Sequence, residues 1–335
     1  MLLIGIAGTT LQAHERAQLR APTVSGLVLF ARNFVSRGQL AALVAEVRDV
    51  RDDALICVDQ EGGPVQRFRA GFTPLPALAR LGEAYDRDRA AAVALAEEHA
   101  WLMASEVRAL DVDLSFAPVL DLARGNRAIG RRALHATPAA VSELAQAYVR
   151  GMHLAGMAAT LKHFPGHGSV VADTHVDAAV DTRSLAALRE ADLVPFAETI
   201  EAGAEAVMMA HVVYPAVDAA PAGQSRAWIE TVLRGELGFR GMVFSDDISM
   251  AAAGAAGGVA ARVHAHLDAG CDLVLACQPD AVGAALEAVR DRAPCDPERV
   301  AALRGAAASS WDALVDNPQR DRFIARVTAL EETNA

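Results

Sequence analysis

The chain has 335 residues and a mass of 35.1 kDa; 53% of it is hydrophobic but only 5% aromatic, with 31 basic residues against 42 acidic ones and a net charge of −11. An acidic chain without a basic block excludes a protein that tracks nucleic-acid phosphates. The supply of apolar residues excludes disorder, and no apolar run reaches the ~18 residues that would predict a membrane span.

The first ten residues, MLLIGIAGTT, are apolar but carry no positive leader, so they read as a first strand, and a cytoplasmic protein is expected. Seven further short apolar runs follow, giving predicted strands at 2–6, 26–30, 55–58, 114–117, 157–162, 206–210, 242–245 and 272–276. Between them lie segments with helical periodicity at 38–50, 89–110, 138–153, 185–201, 227–237, 260–268 and 281–291, and two more at 297–315 and 320–330 close the chain. Strands buried on both faces and alternating with helices predict a parallel α/β sheet. Eight such units without a Pro/Gly/Ser-rich linker favour a closed (β/α)8 TIM barrel. Residues 1–335 are then one domain with a C-terminal helical extension. The insert at 62–87 makes the third unit the longest, and the Ala/Gly tract at 250–261 reads as a loop. The four cysteines are scattered, which predicts neither a disulfide framework nor a zinc site.

In such a barrel the chemistry gathers at the carboxyl ends of the strands. The third strand ends in VDQEGGPVQRF, with Asp59 and Arg67, and the fifth in TLKHFPGHG, with Lys162 and His163. The sixth ends in MMAHVVYP, with His211, and the seventh in VFSDDISM, with Asp246 and Asp247. Ionisable groups at the tips of apolar strands are costly to desolvate unless paired or open to a cleft, so their convergence predicts a site. The two adjacent aspartates point to opposite faces of a strand, and alternation alone leaves open which one faces inward. Downstream, Asp173-Thr174-His175 offers a carboxylate that can orient an imidazole for proton transfer. The histidine spacings at 163, 167 and 175 match neither a helical metal pair nor a zinc ribbon, so no metal or other cofactor is expected.

Six motifs give these residues a context: DQEGG at 59–63 with VQRF at 65–68, DLSFAPVLDL at 113–122, KHFPGHG at 162–168, DTH at 173–175, AHVVYP at 210–215 and FSDDISM at 244–250. In this order and spacing the chain resembles the glycoside hydrolase family 3 β-N-acetylhexosaminidases, in the single-domain bacterial form associated with peptidoglycan recycling. The resemblance covers residues 2–281 and implies a retaining exo-β-N-acetylglucosaminidase on a TIM barrel. It implies that Asp246 is the nucleophile forming a covalent glycosyl-enzyme, and that His175 is the general acid/base, supported by Asp173. It further implies that Asp59, Arg132, Lys162 and His163 grip the sugar hydroxyls, with Arg67 and His211 as additional pocket members. The implied substrate is a small aminosugar or muropeptide, N-acetylglucosamine β-1,4-linked to anhydro-N-acetylmuramic acid, turned over in the cytoplasm by what is expected to be a monomer. Pro64 and Leu134 depart from the family's usual Arg and aromatic residue. Two other classes compete: a metal-dependent barrel hydrolase using His163, His167, His211 and Asp246, and a non-catalytic sugar-binding protein. A Schiff-base aldolase acting through Lys162 is a further option.

Overall fold

The computed structural model describes residues 1–170, 179–250, 257–306 and 308–332. Eight parallel strands form one sheet: β1 (Leu2–Gly5), β2 (Val24–Leu29), β3 (Leu55–Val58), β4 (Leu114–Ser115), β5 (Thr160–Phe164), β6 (Ala206–Met209), β7 (Met242–Asp247) and β8 (Leu273–Ala276). Their order is β4-β3-β2-β1-β8-β7-β6-β5. The ring closes where the chain beyond β4 pairs with β5, through a parallel bridge between Val119 and Lys162 and a 2.7 Å bond from the Leu120 amide to the Lys162 carbonyl. The fold is the expected (β/α)8 barrel, and the described residues share one core.

The strands are short apolar runs because both faces are covered, by the barrel interior on one side and by helices on the other. Within the barrel, Val28 of β2, Phe116 just beyond β4, Met208 of β6 and Leu275 of β8 line the bottom of one cavity. These are the even-numbered strands, as layered packing in an eight-stranded barrel requires. Asp59, Lys162 and Asp246 line the same cavity from the ends of the odd strands β3, β5 and β7.

The helical layer departs from expectation in several places. Short helices at Ala13–Leu19 and Ala79–Arg87 were not anticipated. The predicted helix at 185–201 is two pieces, Leu185–Arg189 and Leu193–Glu201, because Asp192 between them is buried in an ion pair with Arg183 at 2.6 Å and with Arg124 at 3.2 Å. The segment at 227–237 is helical from Ala227 to Glu236 but wound as a wider π-helix rather than an α-helix. The stretch at 297–315 breaks into Pro297–Ala301 and Trp311–Val315. Between them Gly305 adopts φ +71°, and a side chain there would strike the Gly156 carbonyl. The last helix, Pro318–Glu332, is tied down by Arg320 to Glu106 at 2.7 Å and by Phe323 against Trp101, with ring centroids 5.3 Å apart. No described helix is long and apolar enough to cross a membrane.

Candidate active site

The carboxyl ends of the strands open into a cavity of about 760 Å³, a size typical of small-molecule sites. Asp59 follows β3 directly. The chain then folds into a ribbon pairing Gln60–Gly62 with Val65–Gln66, and its turn depends on Gly62 and Gly63, at φ +108° and +53°. A side chain at Gly62 would lie 2.6 Å from the Pro76 carbonyl, and one at Gly63 would lie 2.5 Å from the Ala77 Cβ. The two glycines of DQEGG are therefore what lets the insert fold back against the barrel rim.

This ribbon holds Glu61 beneath Asp59, and the two carboxylates gather three cations. Lys162 Nζ donates to Asp59 Oδ1 at 2.9 Å and pairs with Glu61 Oε1 at 2.6 Å. Arg132 grips Glu61 with both Nε and Nη2, at 2.8 and 2.7 Å, and Arg67 Nη2 reaches Asp59 Oδ2 at 3.2 Å. Burial alone would raise both acids; instead Lys162 and Arg67 hold Asp59, and Arg132 and Lys162 hold Glu61, below the usual carboxylate range. In turn burial opposes the charge on Arg132, but Glu61 outweighs it and raises the guanidinium above its ordinary value. Lys162 is only 1% exposed, so without these anions its charge would be very costly to bury.

His163 is oriented by a different acid. Its Nδ1 lies 2.6 Å from Asp121 Oδ2, and Asp121 Oδ1 accepts the His167 amide at 2.6 Å. The carboxyl of Asp121 is fully buried, a condition that raises its pKa, yet His163 and the His167 amide leave it below the ordinary value. With Nδ1 committed, Nε2 is the ring nitrogen left for a ligand. Burial lowers the pKa of His167 itself.

At the tip of β7 both aspartates border the cavity, but they have different partners. Asp247 Oδ1 accepts the amides of Ser249 and Cys277, at 3.0 and 3.2 Å, so this side chain ties the loop after β7 to the end of β8. Asp246 Oδ1 accepts the Asp247 amide at 2.8 Å. Burial acts to raise both. It prevails at Asp247, whereas at Asp246 the fields of His163 and His211, the Asp247 amide and Lys162 prevail and lower the pKa. Asp246 is thus held as a carboxylate near neutral pH.

His211 does not line the cavity. Its Nε2 lies 3.0 Å from the Asp247 carbonyl, and its ring packs edge-on against His266, with centroids 5.3 Å apart. These contacts place it beside the turn that carries Asp246. Asp173 and His175 lie outside the described residues. Among the described residues no group of three His, Cys, Asp or Glu side chains is arranged to hold a metal ion, and His163, His167, His211 and Asp246 do not form one.

With this geometry in place, known proteins fix the family. Residues 3–300 match the glycosyl hydrolase family 3 N-terminal domain. The chain belongs to glycosyl hydrolase family 3. It is similar to a protein named β-hexosaminidase from Stenotrophomonas maltophilia (strain R551-3), 61% identical over 94% of both chains, and to one of the same name from Xanthomonas axonopodis pv. citri, 60% identical over 94% of both. Among solved structures it is similar to native NagZ from Neisseria gonorrhoeae, with a TM-score of 0.91 and 40% identity over 98% of this chain and 97% of that one. The same protein solved with N-trifluoroacetyl-D-glucosamine gives a TM-score of 0.90 and 39% identity over the same shares.

Within this family 3 glycoside hydrolase the structure brings Asp59, Arg67, Arg132, Lys162, His163 and Asp246 to one cavity. Glu61 and Asp121, which hold Lys162, Arg132 and His163, had no assigned part in the sequence reading, although both stand inside quoted motifs. Pro64, which stands where the family usually has Arg, lines the cavity as well.

Proposed function

We propose that this β-hexosaminidase is a retaining exo-β-N-acetylglucosaminidase working by double displacement. The observation that carries the reading is Asp246: a partly buried carboxylate with a lowered pKa, bordering a cavity shared with Asp59, Lys162 and His163. In the first step an Asp246 oxygen attacks the anomeric carbon, and the bond to the aglycone oxygen breaks as His175, supported by Asp173, donates a proton to it. In the second step His175, now neutral, takes a proton from water; the water oxygen attacks the anomeric carbon and Asp246 leaves as the carboxylate. An imidazole titrating near ~6.5 can serve both steps without the burial that a carboxyl acid needs.

Asp59, Lys162, His163 and Arg132 hold the sugar hydroxyls, with Arg67 securing Asp59 and His211 bracing the nucleophile's turn. The substrate is N-acetylglucosamine β-1,4-linked to anhydro-N-acetylmuramic acid, with or without its peptide, hydrolysed in the cytoplasm during peptidoglycan recycling by a monomer. The names of relatives at about 60% identity and the aminosugar in the gonococcal complex support the sugar specificity. The test is turnover of a chromogenic β-N-acetylglucosaminide by wild type and Asp246→Ala, with NMR of the first-formed anomer and mass spectrometry after a slow fluorinated substrate. The β-anomer and an adduct on Asp246 are expected; an α-product, or an adduct elsewhere, overturns the mechanism.

A further inference from the structure

The turn that carries Asp246 is held from two sides. Toward β8, the Ile248 amide donates to the Leu275 carbonyl at 3.0 Å, and Asp247 Oδ1 accepts the Cys277 amide at 3.2 Å. On the other side the holders come from one helix, Val259–Ala269, through Arg262 and His266, neither of which borders the cavity. Standing four residues apart, these two share one face of the helix. Arg262 Nη1 donates to the Ile248 carbonyl at 2.8 Å, while its Nε donates to the Gly257 carbonyl at 2.7 Å. His266 reaches the same turn through His211: the two rings pack edge-on with centroids 5.3 Å apart, and His211 Nε2 lies 3.0 Å from the Asp247 carbonyl.

The partners of these rings fix their protons. A carbonyl only accepts, so His211 Nε2 donates to Asp247, and His266 Nδ1 donates to the Arg262 carbonyl at 2.8 Å. His266 is fully buried, and burial lowers its pKa to about 3, so its ring is neutral and its Nε2 carries no proton. Neither that nitrogen nor His211 Nδ1 has a hydrogen-bond partner among the described residues. A buried polar atom without a partner opposes folding, so stability alone would favour an apolar side chain at 266. Gly223 nonetheless leaves the ring its place, since a side chain there would lie 3.1 Å from His266 Nε2.

We propose that Arg262 and His266 are positioning residues for the nucleophile, the outer arm of a chain of contacts that sets the direction of the Asp246 carboxylate. The proposal rests on the reading of Asp246 as the nucleophile. At the inner end of the chain the Asp247 amide donates to Asp246 Oδ1 at 2.8 Å, while His211 holds the carbonyl of the same residue. Residue 247 is thus fixed at both of its peptide groups, and with Oδ1 engaged, Oδ2 is the oxygen left to attack. The groups that grip the sugar lean on other partners, Asp59 on Arg67 and Lys162, and His163 on Asp121. Loosening the arm therefore misdirects the attack without weakening the grip.

Four variants test it. Arg262→Met and His266→Ala remove the two contacts, whereas Arg262→Lys keeps one donor for the Ile248 carbonyl and His266→Phe keeps a ring edge against His211. The rate at which a saturating slow fluorinated substrate labels Asp246, followed by mass spectrometry, is expected to fall about 10- to 100-fold in Arg262→Met and His266→Ala, the scale of a small misplacement of a reacting group. Arg262→Lys and His266→Phe are expected to lie between these and wild type. The inhibition constant of N-acetylglucosamine is expected to stay within about twofold of wild type in all four, because ground-state binding is untouched. Wild-type labelling rates in Arg262→Met and His266→Ala overturn the proposal. So does an inhibition constant that weakens in step with the rate, since that reports a damaged pocket. Should Arg262→Met or His266→Ala not fold, the milder pair carries the test alone: slower labelling at an unchanged inhibition constant supports the proposal and a wild-type rate overturns it. Wild type labelled on another residue overturns the nucleophile reading itself, and the proposal with it.

Discussion

Replacing Glu61 by Gln keeps the shape of the side chain and removes its charge. Glu61 is 1% exposed and sits between the Arg132 fork, at 2.7 and 2.8 Å, and Lys162 Nζ, at 2.6 Å. In wild type two carboxylates serve three cations; in Glu61→Gln only Asp59 remains, and Arg132 loses its bidentate partner. Breaking a buried pair from one side costs about 3–5 kcal/mol. At ~2.1 cal/mol/K per residue, a 335-residue chain unfolds with an entropy of about 0.7 kcal/mol/K, so Tm is expected to fall by about 4–7 °C. Lys162 then leans wholly on Asp59, and KM for a chromogenic glucosaminide is expected to rise. Thermal unfolding followed by circular dichroism, with steady-state kinetics at 25 °C, measures both. Glu61→Leu/Arg132→Met, which removes charge from both sides, should lose less stability than Glu61→Gln. A Tm within 1 °C of wild type together with an unchanged KM refutes the account of Glu61 as the counter-charge that makes a buried Lys162 affordable.

Asp121→Asn removes the anion that fixes His163, a charge-assisted contact of about 1.5–3 kcal/mol, so kcat/KM is expected to fall about 10- to 100-fold; an unchanged value removes Asp121 from the site. Burial lowers the pKa of His99 to about 4 and that of His266 to about 3. An unfolded chain binds these protons near pH 6.5, so both imidazoles leave stability intact above that pH and withdraw it as pH falls toward 4, on the order of 3 kcal/mol for His99 alone. The carboxylates with lowered pKa, Asp59, Glu61, Asp121 and Asp246, add their loss only below about pH 4. Tm measured from pH 7 to 4 should therefore decline already between 6.5 and 5, and more gently in His99→Gln; a flat profile contradicts the buried neutral state. Overnight dialysis against EDTA is expected to leave turnover intact, and loss of activity restored by a divalent metal favours the metal-dependent hydrolase instead.

The sequence reading succeeded where a residue's position depends on its own stretch of chain. Leu55–Val58 reads as a strand because both its faces are buried, and Asp59, an ion at the tip of such a strand, lies on the cavity as its position predicts. The reading failed where distant segments decide. The helix expected at 185–201 stops for Asp192, whose partners Arg183 and Arg124 no local periodicity reveals. The strand expected at 114–117 keeps only Leu114–Ser115 in the ladder with β3, since the residues after it turn to pair with β5 and close the ring. The same divide runs through the site. Glu61 stands 71 residues from Arg132, and Asp121 stands 42 from His163. Each pair exists because segments from different units of the barrel meet at the same strand ends, so the sequence marks the groups that face the cavity more readily than those that hold them. His211 shows another use of a strand end. It follows β6, and its side chain turns toward the neighbouring strand, with Nε2 3.0 Å from the Asp247 carbonyl. The end of a barrel strand thus brings a residue near the reaction, and only its hydrogen-bond partner decides whether it meets the substrate or steadies the residue that does.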